Sequence, residues 1–135
     1  MWESIPAELL RYRPDAGAMT CLEMVRHVLE SDFMYGEILR LRRSYTGSSP
    51  FEGREYTDVA AELTFNAPFR KSLMETVATF NDTDLDVVTI DRSDVGYIRR
   101  AGDFILRIAY HESVHTGQML QYLRAAGTDR PSLWD

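Results

Sequence analysis

The sequence predicts an all-α protein, a helical bundle in which residues 1–135 form one domain. Two observations predict it. A capping box, Thr20-Cys21-Leu22-Glu23, opens a long run of apolar residues at helical spacing, and a stripe with steps of three and four residues runs down the C-terminal third before Gly127. A hydrophobic content of 44% in 135 residues supports one real core but divides poorly into two.

The first helix starts at Thr20, whose hydroxyl covers the amide of Glu23 while Glu23 reaches back to the Thr20 amide. It runs through Leu22, Val25, Leu29, Phe33 and Ile38 to about Arg43. There Tyr45-Thr46-Gly47-Ser48-Ser49-Pro50 gathers turn-forming residues into a loop. Arg40, Arg42 and Arg43 sit at this helix end, where basic charge favours the C-terminal dipole, a simpler reading than a phosphate-binding patch.

Thr57 is the expected cap of a second helix, since Val59, Leu63, Asn66, Leu73, Val77 and Phe80 recur near the helical period as far as about Asn81. Pro68 falls inside it and predicts a kink or short break near Asn66, because proline lacks a donor and crowds the preceding turn. Asn66 interrupts the apolar seam there, to satisfy the broken backbone or to reach a pocket. Residues 82–93, rich in aspartate and threonine around Leu85, Val87, Val88 and Ile90, read equally as a short extended piece or a loop.

A third helix is expected from roughly Asp94 to Ala126, closed by Gly127, with Pro131 preventing continuation. Its seam is Ala101, Phe104, Ile108, His111, His115, Gln118 and Tyr122. His111 and His115 lie four apart, so both rings project from one face on consecutive turns, the placement two ligands of one metal need. Two imidazoles buried in a seam without partners are costly, and a metal satisfies both. The remaining histidine, His27, is the only source of a third imidazole, although a lone histidine is more often a hydrogen-bonded core or surface residue. Three histidines and a water make an open site for zinc, nickel, cobalt or iron.

His111-Glu112-Ser113-Val114-His115 also matches the HExxH pattern of zinc peptidases. The extended form needs a glycine and a further histidine where Gln118 and Gln121 stand, and no glutamate follows Glu112 to serve as a third ligand. Glu112 is therefore read as solvated or as a support to the ligands. Gln118 lies three residues after His115 and can orient a ligand or bond a bound water, or simply make a packing hydrogen bond. Tyr122, one turn further, offers a phenol to the pocket, with core filling the plainer role. Cys21 is read as a buried, inert thiol.

The formal charge of −6 with dispersed basic residues excludes nucleic acid as a natural partner. No run is long and apolar enough to span a membrane, no signal peptide is visible, and one cysteine cannot form an internal disulfide, which together lead to a cytoplasmic expectation.

The segment His111-Glu112-Ser113-Val114-His115-Thr116-Gly117-Gln118, continued by Tyr122-Leu123-Arg124 and Gly127 to Pro131, closely resembles the last helix of the DinB/YfiT-like superfamily. Tyr12-Arg13-Pro14, Met19-Thr20 and Glu23 to His27 look like that family's lead into the helix bearing its first histidine. The resemblance implies an antiparallel four-helix bundle with a divalent metal, often nickel or zinc, held by His27, His111 and His115. It also implies a metal-dependent enzyme on a small-molecule substrate: a transferase or isomerase using a low-molecular-weight thiol, or a hydrolase. A metal-stabilised structural or sensing protein without turnover is the competing reading. One departure stands out, because Trp2 to Leu10 is too short for the long first helix usual in the family. Either the native start lies upstream of Met1, or a partner covers the open face, the expectation being a homodimer.

Overall fold

The computed structural model describes residues 1–133. Its main elements are α1 (Cys21–Leu41), α2 (Val59–Val77), α3 (Asp82–Val87), β1 (Thr89–Arg92), β2 (Tyr97–Arg100) and α4 (Ala101–Ala125). The protein is thus mostly helical, and all-α is an approximation because β1 and β2 form a two-stranded antiparallel sheet. Before α1 the chain makes only two short 3-10 turns, Trp2–Ser4 and Ala7–Leu9, with Ile5 buried between them.

The capping box at Thr20 forms as expected, with both reciprocal hydrogen bonds in place. At the other end of α1, Arg42 adopts a left-handed conformation (φ 56°), and the helix stops at Leu41. There the chain joins the sheet: Asp91 donates its N–H to the Arg42 carbonyl, and Ser44 donates to that of Asp91.

α1 is the middle element, packed along α2 on one side and against α4 on the other. Its contacts fix both directions. Arg26 meets Glu62, Asp32 meets Asn66 and Arg70, and Gly36 lies against Leu73, so α1 and α2 run parallel. His27 meets His111, and Tyr35 meets Phe104, so α4 runs antiparallel to α1. The bundle is therefore not antiparallel throughout. The reason lies in residues 42–58, which must return the chain along the roughly 30 Å length of α1 before α2 begins. Phe51, 2% exposed, anchors this return by packing on Phe65 and Phe69.

Three sequence boundaries need correction. Asp58, not Thr57, caps α2, its carboxylate accepting from the Ala61 N–H at 2.8 Å, and the helix ends at Val77 rather than near Asn81. Pro68 does not break it, because both Pro68 and Thr64, whose carbonyl loses its partner, lie on the exposed side where water can serve that oxygen. The last long helix begins at Ala101, not Asp94, since residues 97–100 pair with 89–92 around Gly96, which takes φ 90° in the turn. Gly127 takes φ 74°, as its expected capping role requires. Residues 82–93 divide into α3, capped by an Asn81 and Asp84 capping box, and β1.

The core falls into two clusters. One gathers Cys21, Met24, Val25, Leu29, Phe51, Met119 and Leu123, and the other gathers Ile38, Leu39, Leu73, Ile90, Phe104 and Ile108. Midway along all three long helices, between those clusters, the interior turns polar: Asp32 on α1, Asn66 on α2, and the half-buried His111 and His115 on α4. That polar layer holds the candidate site.

Candidate metal centre

α1 supplies His27 and α4 supplies His111 and His115, and the structure brings all three together. One ring nitrogen from each lies within 4.8 Å of the others, the one such metal-binding group among the described residues. His27 Nε2 and His111 Nε2 are 3.1 Å apart, and the ring centroids are separated by 4.6–5.1 Å. Nitrogens at the usual zinc distance on a tetrahedral ion sit about 3.3 Å from one another. The cluster is thus close to the geometry of three ligands on one ion. Among the described residues no fourth His, Cys, Asp or Glu joins the group, which leaves one tetrahedral position for water or substrate.

Gln118 sets the chemistry of one ligand. Its Oε1 lies 2.7 Å from His115 Nδ1, and an amide oxygen can only accept, so Nδ1 carries the proton and the lone pair stays on Nε2. Tyr35 supports a second ligand by packing edge-on against the His111 ring, centroids 5.7 Å apart. His111 Nδ1 is buried with no partner among the described residues.

Electrostatics favour the neutral form of His27 and His111. Burial, then the neighbouring His115 and His27, push His111 down to about 4, and burial followed by His115 lowers His27 as well. Neutral imidazoles offer the lone pairs that a metal requires.

Glu112 does not act with the histidines as the HExxH pattern would have it. Its Oε2 faces Arg70, with Nη1 and Nη2 both at 3.4 Å, and Arg70 in turn donates to Asp32 Oδ1 at 2.9 Å. Asn66 serves no broken backbone. It is 3% exposed and donates from Nδ2 to Asp32 Oδ2 at 2.6 Å. Tyr122 packs edge-on against Tyr12 in the first core cluster, about 10 Å along α4 from His115, which is the core-filling role. Cys21 is fully buried, and burial raises its thiol, as an inert cysteine requires. Sequence reasoning missed Asp32, Arg70 and Tyr35; an aspartate among the apolar positions of α1 was the one available signal.

A helical bundle carrying an open three-histidine cluster across two of its helices defines the class. The chain belongs to the DinB superfamily, whose family model matches residues 1–119, a span that includes all three histidines and Gln118. It is similar to the crystal structure of a DinB-like protein, YjoA from Bacillus subtilis, at 21% sequence identity and a TM-score of 0.70, over 98% of this chain and 85% of that one. Comparison with curated proteins finds no match. No helix among the described residues is long and apolar enough to cross a membrane.

Proposed function

We propose that His27, His111 and His115 hold one divalent transition metal, zinc or nickel, and that the protein is a metal-dependent enzyme acting on a small molecule by thiol S-transfer or hydrolysis. The observation that carries this reading is the convergence of three ring nitrogens, with the His115 tautomer set by Gln118. When bound, the metal supplies a Lewis acid that activates a thiol or water at neutral pH. The protein's own share is positional. Gln118 holds His115, Tyr35 holds His111, and the exposed His27 leaves a path for a low-molecular-weight thiol and a substrate.

A structural or sensing role without turnover is favoured by a different observation, the tie between Glu112 and Arg70, which occupies the acid next to His111 that could have served as a general base. A homodimer belongs to the same proposal. α4 exposes Leu106, Tyr110 and Val114 along one stripe that a second copy could cover, and a monomer in sedimentation equilibrium refutes it.

The test is elemental mass spectrometry on untagged protein, parent and the single variants His27→Ala, His111→Ala and His115→Ala, followed by thiol-transfer and hydrolase screens of the loaded parent. Near-stoichiometric metal in the parent, lost in each variant, supports the site. Absence of metal after reconstitution overturns it, and a loaded parent inactive in every screen favours the structural role.

A further inference from the structure

Beside the histidines, α1, α2 and α4 line an open cleft of about 250 Å³ that the metal reading leaves unused. Its wall residues Val28 and Glu112 directly follow His27 and His111 in the chain, so it lies on the next face of α1 and α4 round from the cluster. Its polar wall is Asp32, Asn66, Arg70 and Glu112, and its apolar wall includes Trp2, Val28 and Leu63. Asp32 and Asn66 are 4% and 3% exposed, far more buried than function-free polar residues normally are.

The hydrogen bonds in this wall do not balance. Asn66 spends Nδ2 on Asp32, and its Oδ1 is left buried with no donor among the described residues. Arg70 is the sole cation of the wall and is shared between two carboxylates, at 2.9 Å to Asp32 and 3.4 Å to Glu112. Two acids against one guanidinium leave a net negative charge, and the contact to Glu112 is long enough to be loose. The cleft therefore has acceptors and negative charge to spare. A carboxylate or phosphate would meet repulsion there, and a neutral alcohol would meet no charge, whereas an ammonium supplies both the missing donor and the missing positive charge.

We propose that this cleft seats a primary ammonium group, with Asn66 Oδ1, Asp32 and Glu112 as its acceptors, so that the small-molecule substrate is an amine. The substrate assignment rests on the metalloenzyme reading above; the ammonium seat does not, because none of its residues belongs to the histidine cluster.

The test titrates hexylamine, hexanol and hexanoate, three probes of equal chain length, into zinc-loaded parent and into metal-free His111→Ala protein. Binding is followed at neutral pH by the amide and side-chain NMR shifts of residues 28–32, 63–70 and 112. Hexylamine is expected to bind at least about tenfold more tightly than hexanoate in both proteins. The exposed variant Glu112→Gln should weaken hexylamine by up to about fivefold and narrow its preference over hexanoate, while the buried variant Asn66→Leu should abolish binding. Hexanoate binding as tightly as hexylamine overturns the proposal, as does the absence of binding by all three. Hexylamine that binds zinc-loaded parent but not His111→Ala protein overturns it too, since that amine is ligating the metal. Hexylamine bound by a parent that takes up no zinc retains the ammonium seat and removes only the metal reading.

Discussion

Removal of the Glu62 carboxylate should cost this fold more than most single changes. Glu62 is fully buried and Arg26, its partner, is 5% exposed. The guanidinium donates to Glu62 from Nε at 2.9 Å and from Nη2 at 2.5 Å, and it spends its remaining reach on the carbonyls of Arg54 and Glu55, each at 2.6 Å. One residue of α1 thus fastens both α2 and the returning segment that makes α1 and α2 parallel. In Glu62→Ala the two bonds to α2 vanish and a buried cation keeps only neutral partners, the two carbonyls and the Tyr56 ring 3.6 Å away. Losing one member of a buried pair typically costs about 3–5 kcal/mol, a large share of the roughly 5–15 kcal/mol that holds a domain together. The expected drop in Tm is roughly 10–20 °C. Urea unfolding followed by circular dichroism measures the loss, and the double variant Arg26→Met with Glu62→Leu should recover part of it by removing the stranded charge. A cost below about 1 kcal/mol for Glu62→Ala would refute the reasoning, because it would mean that the guanidinium finds water or another acceptor.

Two further changes act at the histidines. Gln118→Ala removes the acceptor that holds His115 Nδ1, and metal affinity measured by chelator competition should fall about 10- to 100-fold with the helix content unchanged; an unaltered affinity would show that Gln118 only packs. In metal-free protein, His111 titrates near 4 when folded and near 6.5 when unfolded, so the unfolded chain binds more protons between those values. Stability should be unaffected above pH 6.5 and decline as pH falls from 6.5 towards 4. The gap is worth at most about 3 kcal/mol, and solvent screening of a half-buried ring reduces it to roughly 2. His111→Gln should flatten this part of the profile of Tm against pH, and an equal slope in both proteins would assign the acid sensitivity elsewhere.

The histidines were legible from the chain because helix geometry projects residues four apart onto one face, and because only one other histidine existed to complete the set. Gln118 was legible on the same ground. The start of α1 was equally clear, since a capping box is a local signal that tertiary packing rarely overrides. The hairpin before α4 was not. Its strands are four residues each, and the apolar positions of residues 94–100 continue the helical period of α4, so periodicity alone extends the helix across them. The parallel course of α1 and α2 was hidden as well, because the direction of a helix pair depends on where a long connection goes, and Arg26 and Phe51 determine that through contacts distant in sequence. The pairing of Asp32 with Arg70 was hidden for the same reason: beyond an aspartate standing among apolar positions of α1, an acid on α1 and a cation on α2 acquire meaning only when the helices bring them within 2.9 Å.

X-ray absorption spectroscopy on zinc-reconstituted protein tests the central claim most directly. The account predicts one zinc per chain with about four nitrogen or oxygen neighbours at roughly 2.0–2.1 Å, three of them carrying the outer-shell signature of imidazole. A sulfur neighbour near 2.3 Å, fewer than three imidazoles, or no stoichiometric zinc would contradict it.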